Sequence, residues 1–209
     1  MPVQDFTTYA ETDPNSRITV TATKVTGASL DQVEIAHVSK DFGAGYFAGD
    51  FEHNFEIKLT GTTGSSAILV ATVADTLGTE NTLDVAGSGI ALFSRFGATS
   101  FLREYDSGAI NASVVEFTFV TDTLYYCTLI RDESIGSFGQ YSLEIYSDSA
   151  RTTLLETLTV NQNTSKKDLR YAYGLQSREE GTAGKAWSGF IENLEFIATA
   201  GDMFFGINI

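Results

Sequence analysis

Proline is nearly missing from this chain of 209 residues: there are two, Pro2 and Pro14, and none after residue 14. Proline removes ladder hydrogen bonds inside a sheet, so its absence leaves the rest of the chain free to pair as strands. The single cysteine, Cys127, excludes an intrachain disulfide. It sits in the apolar run Leu124–Ile130, which reads as a buried structural thiol rather than a nucleophile. Histidine occurs twice, as His37 and His53, and neither falls in an HExxH or similar metal pair, which argues against a zinc site. No Gly-x-Ser-x-Gly elbow and no phosphate-cradling glycine loop before a helix is present, so serine-hydrolase and nucleotide-binding readings have no support. Basic residues are scarce: 13 Lys and Arg against 27 Asp and Glu give a net charge of −14. That balance excludes nucleic acid and an anionic membrane surface as expected partners, since both need clustered Lys and Arg. It fits a solvated acidic surface, with cation binding as a second reading. The start, Met1-Pro2-Val3-Gln4-Asp5, has no apolar core, and no long apolar run follows, so the sequence predicts cytoplasmic synthesis with no secretory signal and no transmembrane span. On that basis Asn111-Ala112-Ser113 and Asn163-Thr164-Ser165 are chance matches to the glycosylation pattern.

What is present is a succession of strand patterns. The clearest is Phe51–Leu59, in which Phe51, Phe55, Ile57 and Leu59 fall on one face and Glu52, Asn54, Glu56 and Lys58 on the other. Alternation with period 2 means one face in a core and one in water. Further strands are expected at Arg17–Thr26, Gln32–Ser39, Ser66–Ala74, Gly89–Phe96, Thr99–Tyr105, Val114–Val120, Leu124–Asp132, Gln140–Tyr146, Leu154–Val160, Leu169–Ser177 and Trp187–Ile197. Asp41–Asp50, with Gly43, Gly45 and Gly49, reads as a loop. Asp75–Gly87 is the least strand-like stretch and has room for one helical turn. About a dozen short strands without helices between them predict an all-β fold, an antiparallel two-sheet sandwich of jelly-roll type, with a closed barrel as the alternative topology. Residues 1–16 read as a lead-in anchored by Phe6 and Tyr9, residues 17–198 as one sandwich domain, and 199–209 as an apolar tail.

Tyr141–Asp148, Leu154–Leu158, Leu169–Gly174 and Ser188–Leu194 together resemble the closing half of a concanavalin A-like lectin/glucanase jelly roll, including laminin-G-like modules. Lys40–Ala44 and Gly49–His53 resemble uncharacterised proteins of this fold encoded by bacteriophages and environmental viral sequences. The resemblance implies a lectin-like, non-enzymatic protein at a virion or extracellular surface, whose partners are glycans or particle-surface proteins.

Three sets of residues are the candidates for chemistry. Relatives that cleave β-glucans carry Glu-x-Asp-x-Glu on one strand, so the resemblance makes Glu52 and Glu56 the catalytic pair of an alternative reading as a glycoside hydrolase, with Asn54 in the Asp position. A free carbohydrate-binding module is a further alternative. On the lectin reading, Trp187, Glu52 and Asn54 are the candidate carbohydrate contacts; a core position for Trp187 and a plain solvated strand face for Glu52, Asn54 and Glu56 are the competing readings. Laminin-G-like relatives hold calcium at the sandwich rim, which implies Asp41 and Asp50 as candidate ligands; capping of turn backbone groups is the alternative for both. The tail residues Met203, Phe204, Phe205, Ile207 and Ile209 are dense enough in apolar surface to dock on the chain's own core or to drive a homo-oligomer.

Overall fold

The computed structural model describes residues 2–95 and 98–197. A 3₁₀ turn at Phe6–Thr8 leads into β1 (Ala10–Thr12), β2 (Ile18–Val20), β3 (Lys24–Asp31), β4 (His37–Asp41), β5 (Phe51–Thr62) and β6 (Ala67–Ala74). Then come the short helix α1 (Glu80–Ala86), β7 (Ser88–Arg95), β8 (Thr99–Asp106), β9 (Ala109–Ala112) and β10 (Phe117–Thr118). The chain closes with β11 (Leu124–Asp132), β12 (Gln140–Tyr146), β13 (Leu154–Asn161), β14 (Tyr171–Ser177) and β15 (Ala186–Ile197).

These strands form two antiparallel sheets. One has eight strands in the order β1-β4-β14-β6-β7-β8-β10, with β9 added to β8; the other has seven in the order β13-β12-β11-β5-β15-β3-β2. The chain is about 55% strand and 5% helix, an all-β sandwich as the alternation predicts. β5 sits centrally in the seven-stranded sheet, paired along most of its length with β11 and β15. Phe55, Ile57 and Leu59 of β5 enter the core between the sheets with Ile68, Val70, Leu92 and Leu102 from the opposite sheet. The even-numbered residues Glu52 to Lys58 stay half-buried on the outer face.

Several boundaries differ from the sequence expectation. Arg17–Thr26 is not one strand: it is the β2–β3 hairpin, with Ile18 opposite Gly27. Gln32–Val33 lies outside any strand, and β4 begins only at His37. Within Val114–Val120 only Phe117–Thr118 pairs, while Ala109–Ala112 forms a strand of its own on β8. Asp75–Gly87 does hold the helical turn.

The run Ala67–Ala74 is buried at every position. Alternate residues of β6 and β7 face the sandwich core, and the others belong to a second cluster on the outer face of the eight-stranded sheet: Ala67, Leu69, Ala74, Ala91, Phe93, Phe101, Tyr105 and Tyr173, capped by Leu83 of α1. An outer face that is buried this way explains why β6 reads as continuous rather than alternating hydrophobicity.

Candidate functional site

The outer faces of the two sheets differ in chemistry. On the seven-stranded sheet, Asn54 accepts the Thr128 hydroxyl at 2.7 Å and Glu56 accepts the Asn193 side-chain amide at 3.0 Å. Glu52 shares this face, opposite Ile130 on β11 and Ile197 on β15. The structure therefore keeps Glu52, Asn54 and Glu56 together on one strand face, beside Glu144 of β12 and Glu192 of β15.

Trp187 lies on the other side of the same sheet. It is 1% exposed and packs between Gly27 and Gly189, where added Cβ atoms would meet its ring at 3.4 and 2.6 Å. This corrects the expectation of a sugar-stacking Trp187: glycines on β3 and on β15 itself leave the indole the room to turn inward, and no ring face is left for a ligand. Asp41 is bound by the Arg170 guanidinium, with Nε at 2.9 Å, and by the Gly43 N–H at 2.8 Å. Asp50 accepts the Glu133 N–H at 2.7 Å. Arg170 and the Gly43 N–H hold the Asp41 carboxyl below its usual range, so a cation there would have to displace Arg170. Cys127 is buried and its thiol is pushed well up by desolvation, which removes it as a nucleophile. The tail residues Met203, Phe204, Phe205, Ile207 and Ile209 lie outside the described residues.

The eight-stranded sheet builds its outer face from aromatic rings and arginines. β7 contributes Phe93 and Arg95 and β8 contributes Phe101, Arg103 and Tyr105, all of one parity. The Phe93 and Phe101 rings lie 5.1 Å apart. The Arg95 guanidinium sits 4.6 Å from the Phe101 ring centre and Arg103 sits 4.4 Å from that of Phe93, within cation–π range. An open cavity of about 230 Å³ lies against them, lined by Arg95, Phe101, Arg103, Ile110, Ser113 and Glu116, with Ala112 at its edge. Its far wall is β9 and the turn after it, where Val114 is 98% exposed and Ile110 and Val115 are exposed as well.

Next to this groove α1 covers the sheet. Glu80 is fully buried; its Oε1 accepts Arg103 Nη1 at 2.5 Å and the Tyr105 hydroxyl at 3.2 Å, and its Oε2 accepts Arg178 Nε at 2.7 Å. Desolvation pushes the Glu80 pKa up, against the pull of Arg103 and Arg178. Further along the face the Tyr173 hydroxyl donates to the Thr76 carbonyl at 2.9 Å and accepts the Gly78 N–H at 3.0 Å. The His37 ring lies 5.9 Å from Tyr173, and burial lowers its pKa. No helix among the described residues is long and apolar enough to cross a membrane.

No family model matches the chain, and no curated protein matches it. Solved structures do. An alginate lyase of family PL-14 from Aplysia kurodai superposes with a TM-score of 0.58 over 92% of this chain and 88% of its own, at 8% identity. An endo-β-1,4-glucuronan lyase from Trichoderma reesei gives 0.55 over 96% and 91%, at 9% identity. A protein of unknown function from Shewanella oneidensis MR-1 gives 0.56 over 95% and 81%, at 14% identity. The fold is the concanavalin A-like jelly roll. At these identities the likeness establishes the architecture and nothing about chemistry.

In this jelly roll the groove residues Arg95, Phe101 and Arg103, and the buried Glu80, were not among the residues the sequence singled out. The signal was present in the parity of Phe93-Ser94-Arg95 and Phe101-Leu102-Arg103-Glu104-Tyr105, where aromatics and arginines share one face of adjacent strands. It is masked because the alternate residues on these strands face the core, so both strands read simply as apolar.

Proposed function

We propose that the protein is a non-catalytic carbohydrate-binding jelly roll that takes a glycan segment in the groove between β7, β8 and β9. The observation that carries this is the open groove itself, in which the Phe101 ring, two arginines and Glu116 stand around a cavity of about 230 Å³. Sugars need that combination: an apolar face for ring C–H groups and planar, charged hydrogen-bonding groups for hydroxyls. The pairing of Arg95 with Glu116 at 3.6 Å keeps the groove near neutral although the chain carries −14.

Support for a binder over an enzyme comes from the proton-transfer groups of this face. The Tyr173 hydroxyl is tied to Thr76 and Gly78, Tyr105 is tied to Glu80, and His37 is buried. Of the structural neighbours, several are lyases acting on alginate or glucuronan, which makes turnover of an acidic polysaccharide the rival outcome. The resemblance of Lys40–Ala44 and Gly49–His53 to phage-encoded proteins supports siting the binder on a virus particle or another extracellular surface.

The test is a glycan array followed by calorimetry on the strongest ligand. Phe101→Ala and Arg95→Ala should each weaken binding at least tenfold, while Glu56→Gln on the other sheet leaves it unchanged. Binding that survives both groove variants but fails in Glu56→Gln overturns the assignment, as does release of unsaturated oligosaccharide from a polyuronate panel. Mass spectrometry of purified particles tests the surface role.

A further inference from the structure

Helix α1 has seven residues, too few to be stable in water by propensity alone. Its N-cap, Thr79, makes no capping bond with its side chain, and its hydroxyl donates to Glu179 instead. Only two of its side chains are buried, Leu83 and Glu80. Val85 on the same helix is 70% exposed, and Leu77 just before it is 50% exposed. The helix therefore buries one leucine and one carboxylate on the sheet, and its Asn81 N–H donates to the Arg178 carbonyl at 3.1 Å.

That carboxylate is held entirely by groups that belong to the sheet and its rim. Arg103 and Tyr105 come from β8 and Arg178 from the residue after β14. Both guanidinium groups lie over the Phe93 ring, at 4.4 Å for Arg103 and 5.9 Å for Arg178. Take Glu80 away and three donors still converge on a space the size of one carboxylate, backed by an aromatic ring. Arg103 also lines the open groove, so one arginine borders both this space and the groove.

We propose that Arg103, Tyr105 and Arg178 form a binding site for the carboxylate of a hexuronate residue, and that α1 is its intramolecular occupant, with Glu80 holding the place until an acidic glycan displaces it. The proposal rests on reading the groove as the glycan site and adds the class of sugar. The energetics favour an exchange rather than an opening. A vacated site would leave Arg103 without its counter-ion in a partly desolvated place, with Arg178 still paired to Glu180, which is costly. Exchange for a ligand carboxylate keeps the charge-assisted bonds and returns Glu80 to water, relieving its burial. Short elements held by few buried contacts are the ones that open locally.

The test compares wild type with Glu80→Gln, using calorimetry with a tetramer of glucuronate and with a neutral cello-oligosaccharide of equal length. The variant should raise the ratio of uronate-tetramer to neutral-sugar affinity at least tenfold over wild type, and lose that gain when Arg178→Ala is added. A folded Glu80→Gln whose ratio is no higher than that of wild type overturns the proposal and makes Glu80 a structural staple. Should Glu80→Gln not fold, hydrogen exchange of amides 80–86 in wild type decides: faster exchange with saturating uronate supports displacement, and unchanged or slower exchange overturns it. Neutral-sugar binding lost in Phe101→Ala with no gain in Glu80→Gln leaves the groove reading standing and removes the plug. A gain in Glu80→Gln that Phe101→Ala does not touch does the reverse. Binding of neither sugar by either protein overturns both.

Discussion

The guanidinium of Arg103 lies over the Phe93 ring at 4.4 Å while its Nη1 holds the buried Glu80 carboxylate at 2.5 Å. The two side chains sit on neighbouring strands, two residues off register, since Arg103 pairs with Ala91 and Phe93 with Phe101. Diagonal neighbours of this kind are within reach of long side chains. The pair couples the sheet to the one helix among the described residues, and it fixes the orientation of the arginine that borders the groove.

Replacing Arg103 by Met keeps the packing over Phe93 but leaves Glu80 with Arg178 as its one cation beside the Tyr105 hydroxyl. Breaking a buried ion pair from one side costs roughly 3–5 kcal/mol, and the retained Arg178 reduces that, so the expected loss is about 2 kcal/mol. Adding Glu80→Leu should recover part of it, because no unpaired buried charge then remains. Urea titration of the two single variants and the double variant measures this; additive losses would show that the two side chains do not interact.

Gly189 leaves room for Trp187 on its own strand. A Cβ at Gly189 would stand 2.3 Å from the Lys58 carbonyl and 2.6 Å from the indole. Backbone on one side and a fully packed ring on the other leave nothing to yield, so Gly189→Ala should destabilise by about 3 kcal/mol in denaturant titration. Because Trp187 is the sole tryptophan and is 1% exposed, its emission should resist iodide quenching and should not change when a glycan binds. A ligand-dependent emission shift would put the sugar against the indole after all.

Much of the fold was legible because burial follows parity. β5 alternates along Phe51–Leu59 as its sequence does, and the absence of proline after residue 14 matches two continuous sheets. The candidate groove was not legible. Its residues come from β7, β8 and β9, and only the sheet register brings Arg95 and Phe101 to one place. Nothing local in the sequence marks Glu80, because its partners come from β8 and from the residue after β14. Trp187 was ambiguous for the opposite reason: a lone tryptophan beginning a strand fits core and platform equally, and the choice depends on Gly27 of another strand.

His53 supplies a pH dependence below neutrality. It lies between Phe51 and Phe196, with ring centres at 4.5 and 4.3 Å, and burial pulls its pKa down to about 3. Unfolded, it takes a proton near pH 6.5; folded, it does not. Its stabilising contribution is therefore present above pH 6.5 and is lost as pH falls toward 3, at about 1.4 kcal/mol per pH unit. His53→Phe, measured by urea titration at pH 7 and pH 5, should remove most of this slope. A variant with the same acid sensitivity as wild type would locate the loss elsewhere.

Glu104 acts in the opposite direction. It shares its parity on β8 with Leu102 of the core, is 1% exposed, and accepts the Asn163 N–H at 3.0 Å with Oε1 while Oε2 has no partner among the described residues. Burial is the main cause that pushes its pKa up to about 7, Asp106 adds to it, and the Asn163 bond and Lys167 oppose it. A carboxyl whose folded pKa is raised holds its proton more tightly folded than unfolded. Its contribution is fully present below about pH 4.5 and declines as pH rises through about 7. Asp106, bonded to Thr164 and Lys167, clamps the same loop, so ionisation of Glu104 places a second negative charge beside one already neutralised. Glu104→Gln keeps an acceptor for Asn163 and removes the charge. It should match wild type at pH 5 and exceed it by about 1–3 kcal/mol at pH 8, measured by urea titration at both pH values. Equal stability at pH 8 would mean that Glu104 ionises without cost, through water reaching the Oε2 side of the carboxyl.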